Sequence, residues 1–243
     1  MEPFRYHRSG FSAKQVNRAY GAARGFTLIE LLVVLAIIVI LSAIVLTSQS
    51  TFNKTIVLAN TAYDVALTLR ATETYGIGNR AVGSTANVGY GLDFQNTTPK
   101  SFTLFADVYP AIGSTGPFCH APIGPASGPG AVPGNCVYDQ GQGEKVTDYT
   151  LGNGITINDF CGYSPTNQSW SCANSGNQKL AKLDIVFSRP NPDPSIMMND
   201  SSQGGGPVPA SIACLVLSSS SGGSRYVSVT ASGEITTATS SCP

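Results

Sequence analysis

Residues 25–46 read GFTLIELLVVLAIIVILSAIVL, from Gly25 through Phe26, Thr27, Leu28, Ile29 and Glu30 to Leu46. Between Phe26 and Leu46 the only charge is Glu30. At about 1.5 Å per residue this run makes a helix of roughly 31 Å, the thickness of a bilayer's hydrocarbon core. Ahead of it, Arg5, Arg8, Lys14, Arg18 and Arg24 stand against Glu2 alone. The positive-inside bias therefore puts residues 1–25 in the cytoplasm and everything beyond Leu46 on the far side, a single span with its N-terminus inside. A secretory signal peptide is the rival reading. The apolar run is longer than the roughly 7–15 residues of a signal core, and Leu46-Thr47-Ser48-Gln49-Ser50 is a poor cleavage site.

Composition agrees with an exported chain rather than a soluble cytosolic enzyme. Of 243 residues, 42% are hydrophobic, enough for a sizeable core, but only 12% are charged, about half the usual quarter. The formal net charge is zero. Because the first 25 residues are basic, the remainder is acidic, which argues against a nucleic-acid-binding surface on the exported part. A local basic patch such as Lys179 to Lys182 with Arg189 leaves a DNA contact open.

Past Leu46 the pattern turns amphipathic. Phe52, Ile56, Ala59, Ala62 or Tyr63, Ala66, Leu69 and Tyr75 recur at three- and four-residue steps, and Asn53, Lys54, Asn60, Asp64, Arg70 and Glu73 fall between them. Gly76 and Gly78 supply a stop. The expectation is one helix from Phe26 to about Tyr75, apolar all round in its first half and packed on a domain in its second. From about Asn79 short β-branched runs alternate with Gly, Pro, Asn and Ser. They predict strands at 88–94, 102–108, 145–151, 154–157, 180–188, 211–218, 225–230 and 234–237. Residues 110–143, 159–178 and 190–209 read as long irregular stretches, which in a compact domain carry function or move. The expected fold class is α+β, a long N-terminal helix with its second half on an antiparallel β-rich domain. Its parts are a leader (1–25), a membrane-spanning segment (26–46), an amphipathic continuation (47–78) and an exported domain (79–243).

The junction Arg24-Gly25-Phe26-Thr27-Leu28-Ile29-Glu30, with glycine before phenylalanine and a glutamate four positions on, resembles the type IV prepilin signature of type IV pilins and type II secretion pseudopilins. The resemblance spans about residues 20–50. It implies that a membrane-embedded prepilin peptidase cuts between Gly25 and Phe26 and N-methylates the new terminal Phe26. It also implies that Glu30 serves assembly. A carboxylate in a membrane helix costs about 2.5–3.5 kcal/mol at mid-membrane and so takes a partner. The amine of Phe26, in its own chain or a neighbour, is such a partner. The bland alternative is a glutamate that snorkels at the interface. RYVSVTASGEITT, residues 225–237, resembles the C-terminal strand pair of H-type pseudopilins and FimT-like minor pilins, and LTLRATETYGIGNRAV, residues 67–82, fits their pattern.

All six cysteines, Cys119, Cys136, Cys161, Cys172, Cys214 and Cys242, lie on the exported side. An even count there reads as disulfides, with fifteen possible pairings. Pairing between sequence neighbours is expected, since each pair then closes one irregular segment or ties down the chain end. A zinc site needs closely spaced Cys and His pairs, and the single adjacency is Cys119-His120. No cofactor or metal is expected. Asp139, Glu144 and Asp193 could be drawn as calcium ligands but read better as turn residues. His7 and His120 are the only histidines, so no His-based triad is legible, and no Gly-rich phosphate loop is present. Trp170 is expected in a polar loop, packing in a small cluster. The leading expectation is a structural subunit, a minor pilin or pseudopilin. Its partners would be the prepilin peptidase, other pilin subunits, the cytoplasmic membrane and the assembly platform. The competing class is a low-copy tip, adhesin or DNA-uptake subunit that binds through its loops. An enzyme is the poorest reading.

Overall fold

The computed structural model describes residues 25–78, 80–111, 119, 132–175, 179–200, 206–220 and 222–242. The leader except Gly25, His120 and most of the stretch expected at 110–143 lie outside the described residues. The chain forms two compact units, Met1–Thr47 and Ser48–Pro243.

Helix α1 spans Leu28–Ile77. Thr27 caps it: its Oγ1 accepts the Glu30 N–H at 3.3 Å and its carbonyl accepts the Leu31 N–H at 3.2 Å. Thr-x-x-Glu is the spacing of a capping box, and an acid in the first turn suits the helix dipole. From Leu28 to Leu46 the mean hydropathy is 3.2, and none of this stretch is buried.

In the second unit α1 buries Leu58, Ala62, Val65, Leu69 and Thr72, all at 2% exposure or less. The spacing 4, 3, 4, 3 is one helical stripe. It is offset from the expected one: Ala62 and Leu69 belong to it, whereas Ile56 and Tyr63 are exposed. Apolar residues occur on both faces, and the face with the small residues Ala62 and Gly76 is the one that can approach a sheet closely. Gly76 is inside α1 rather than its stop. A Cβ there would lie 2.1 Å from the Phe187 carbonyl oxygen.

Eleven strands follow among the described residues: β1 (Gly89–Gln95), β2 (Ser101–Asp107), β3 (Lys145–Thr150), β4 (Ile155–Ser164), β5 (Ser169–Cys172), β6 (Leu180–Phe187), β7 (Ser195–Asp200), β8 (Val208–Ala210), β9 (Ile212–Ser219), β10 (Ser224–Thr230) and β11 (Ile235–Ala238). They form a six-stranded sheet in the order β3-β2-β1-β6-β7-β8 and a five-stranded sheet in the order β11-β10-β9-β4-β5. All pairings between these strands are antiparallel. The fold is α+β, an N-terminal apolar helix with a C-terminal antiparallel β-rich domain. One core joins the helix stripe to Tyr90, Leu92 and Phe94 of β1, Leu183, Ile185 and Phe187 of β6, and Leu215 and Leu217 of β9. Alternation along the strands sets this face, as the two-residue period requires.

Three expectations need correction. Residues 159–178 are not a loop: β4 runs on to Ser164 and turns into β5, with Cys161 opposite Cys172. Trp170 is therefore a strand residue, packed 5.5 Å from the Tyr163 ring. Residues 190–209 contain β7 and β8, where Ile196 and Met198 alternate inward. These corrections have one cause. β5 and β8 are short and hold polar residues or a proline, and each is kept in place by the strand just before it and, for β5, by the disulfide, so strand propensity alone underestimates them.

Candidate functional site

The N-terminal site consists of Gly25, Phe26, Thr27 and Glu30. Phe26 is 79% exposed, and a Cβ on Gly25 would meet nothing within 4 Å. Nothing in the described fold requires a glycine at that position. Glu30 stands in the first turn of α1, its backbone held by Thr27. Among the described residues the ion pairs are Arg70–Glu73 and Lys145–Asp148, so the Glu30 carboxylate has no partner there.

Residues 21–46 match the prokaryotic N-terminal methylation motif. The match supports a family of the type IV pilin and pseudopilin kind and indicates a processed, pilin-like subunit. It implies processing by a prepilin peptidase and assembly with other pilins. It also suggests a structural protein rather than an enzyme. Together with the apolar helix it fits a chain anchored in the inner membrane. No curated protein and no solved structure matches the chain.

The structure joins the six cysteines as Cys119–Cys136, Cys161–Cys172 and Cys214–Cys242. Asp159 lies beside the second pair, but both sulfurs are committed to the disulfide. The Asp159 carboxylate accepts the N–H groups of Phe160, Asn174 and Ser175 and the Ser175 hydroxyl. It anchors the turn after β5 rather than offering itself to an ion.

Sequence reasoning missed a group of buried acids on the face of the six-stranded sheet opposite the core. Here Phe105 and Val186 pack with Cys136 and Tyr138 in a small second cluster. A strap formed by residues 132–144 covers this face. Asp107 takes the N–H groups of Asn135 and Cys136, one on each oxygen, at 3.0 and 2.8 Å. Gly134 has φ +99°, and a Cβ there would collide with the Asp107 carboxylate. Glu144 takes three N–H groups, from Val108, Tyr109 and Asp139. Asp184 takes the Tyr138 N–H, and Lys182 Nζ donates to the Tyr138 carbonyl at 3.1 Å. Glu144 is thus a turn anchor, and Lys182 is turned into the strap rather than into a basic surface patch.

Burial pushes the Asp107 carboxyl well above the ordinary carboxylate range, against the pull of the Cys136 N–H. Burial likewise raises Glu144 to about 7, although three N–H groups oppose it. The legible signal was an aspartate flanked by apolar residues inside a strand, as in Leu92-Asp93-Phe94, Ala106-Asp107-Val108 and Leu183-Asp184-Ile185. Alternation alone assigns such a residue to solvent.

Proposed function

We propose that this chain is a structural subunit, a minor pilin or pseudopilin, of a type IV pilus or type II secretion pseudopilus. The observation that carries the reading is the coincidence of the motif at residues 21–46 with a helix stretch, Leu28–Leu46, that its own chain leaves wholly unburied. So much apolar surface needs lipid before assembly and neighbouring helices after it. Head-to-tail contacts between copies that do not close on themselves generate a filament. In this reading residues 1–25 are the cytoplasmic leader and the domain from 79 to 243 is exported. The peptidase cuts after Gly25, and Phe26 becomes the methylated N-terminus. A glycine that the fold itself does not need suits a backbone threaded through an enzyme's active site.

Glu30 then compensates the Phe26 amine of an adjacent subunit, where low dielectric strengthens a charge pair and penalises a lone charge. The test is intact-mass analysis of the sheared surface-filament fraction beside the membrane fraction. A filament-borne chain beginning at methylated Phe26 is expected. A chain confined to the membrane, or one retaining its leader in filaments, would refute the proposal.

A further inference from the structure

At the centre of the six-stranded sheet, Asp93 of β1 lies directly opposite Asp184 of β6. They are 1% and 0% exposed. Asp93 Oδ2 accepts from Gln95 Nε2 at 2.6 Å, and Asp184 Oδ1 accepts from the Tyr138 N–H at 3.2 Å. Their other oxygens, Asp93 Oδ1 and Asp184 Oδ2, are buried and receive no donor from any described residue. Two facing buried carboxylates cannot both carry a charge at reasonable cost, as like charges sharing a site force one to stay protonated. An unsatisfied buried acceptor is itself expensive. One proton resolves both problems, turning the two orphan oxygens into the donor and acceptor of a single hydrogen bond between the side chains.

We infer that Asp93 and Asp184 hold one proton between them in the folded domain, and that its loss in alkaline medium releases the strap at Tyr138 from the sheet. The strap is the element that must move. Tyr138 is held by Asp184 through its N–H and by Lys182 through its carbonyl, and its ring packs 5.3 Å from that of Phe105. A doubly ionised pair can lower its energy only by admitting water, and the strap covers the path.

Charged and titratable groups stand around the pair on β2, β3, β6 and the strap. Lys182, on β6 itself, favours ionisation of both carboxyls. Asp148 of β3 opposes ionisation of Asp93. Tyr138 lies above, and Asp107 of β2 and Glu144 hold the same strap. The residues opposite the pair on its outer flanks, Thr103 of β2 and Met197 of β7, are neutral. Burial is the largest influence on each carboxyl and raises both.

Below about pH 4 the folded and unfolded chains both hold the proton, and its stabilising effect is complete. As the pH rises the unfolded chain releases it first, so stability falls until the folded pair has titrated too.

The test is thermal unfolding of the full chain in detergent micelles between about pH 5 and about pH 9, for wild type, Asp93→Asn and Asp184→Asn. Asparagine supplies a permanent N–H where the shared proton stood. Each variant should lose less stability than wild type as the pH rises, with the gap widening by at least about 2–4 °C. Infrared difference spectra at neutral pH should show one protonated carboxyl fewer in each variant. A gap that stays constant or widens toward acid overturns the proposal, and so does a difference spectrum without a carboxylic acid band. Should neither variant fold, wild type decides through amide exchange at residues 135–139, corrected for intrinsic rates. Protection there should fall at the pH where a carboxylic acid band disappears, and protection that outlasts every such band overturns the proposal.

Discussion

Gly76 of α1 and Phe187 of β6 approach so closely that a Cβ on the glycine would stand 2.1 Å from the Phe187 carbonyl oxygen and 3.1 Å from its Cβ. The obstacle is backbone in a central strand, which cannot swing aside as a long side chain would. This contact sets how near the helix lies to the sheet. Gly76→Ala should therefore destabilise the domain by about 1–3 kcal/mol despite the better helix propensity of alanine. At roughly 2–4 °C per kcal/mol, thermal unfolding reads this directly. An unchanged or raised Tm would show that the helix can slide without cost.

The strap on the opposite face depends on Asp107, whose two oxygens hold two N–H groups. Asp107→Asn keeps the size but replaces one acceptor by a donor that faces a donor. A loss of about 1–3 kcal/mol is expected, with amide exchange rising first at Asn135 and Cys136. Equal exchange in both proteins would remove Asp107 from the strap's support.

Glu144 links the same strap to pH. Its carboxyl is raised to about 7 by burial, so the folded chain keeps a proton that the unfolded chain sheds from about pH 4.3 upward. The resulting stability is complete on the acid side and is lost as the pH climbs through 7. Urea midpoints of the full chain should decline over that window. Asp148, lowered by its bond to Lys145, works in the other direction at strongly acid pH; it is exposed, and such pairs contribute little. A midpoint that rises between pH 5 and pH 7, taken as approximate bounds, would contradict the expected sign.

Cys119–Cys136 closes the chain over a separation of 17 residues, and Cys136, within the strap, is fully buried. Replacing both cysteines by serine should cost about 3 kcal/mol by the loop-entropy relation. Urea unfolding of the double variant checks this, and a loss below about 1 kcal/mol would show that the carboxylate anchors hold the strap unaided.

At the N-terminus three substitutions separate processing from assembly. Gly25→Val should leave the precursor uncut, read by intact mass. Glu30→Ala should insert, be cleaved and form its disulfides, yet fall short in the sheared filament fraction. Glu30→Gln preserves the backbone bond to Thr27 while removing the charge. An assembly defect in both Glu30 variants assigns the effect to charge, whereas equal incorporation of all three proteins would remove Glu30 from the mechanism.

The amino-acid sequence by itself determined the apolar segment, the Gly25-Phe26 junction with Glu30, the length of the helix to within two residues at each end, and most strands. These are properties of local composition and period: a run from Phe26 to Leu46 with one charge is apolar on every face whatever follows it, and alternation along a strand is a matter of two-residue geometry. Only the tertiary structure decided which helical stripe faces the sheets, because apolar residues line both faces of α1 and the choice rests on Gly76 meeting Phe187. The cysteines pair between sequence neighbours as expected, and the structure adds the geometry, as with Cys161 and Cys172, which β4 and β5 bring into register. The buried acids were the least legible. Asp93, Asp107 and Asp184 each occupy a strand position that points away from the core, where a charge normally meets water. The strap folds over that face from a distant part of the chain, and alternation along a strand records which side a residue takes, not what later covers that side.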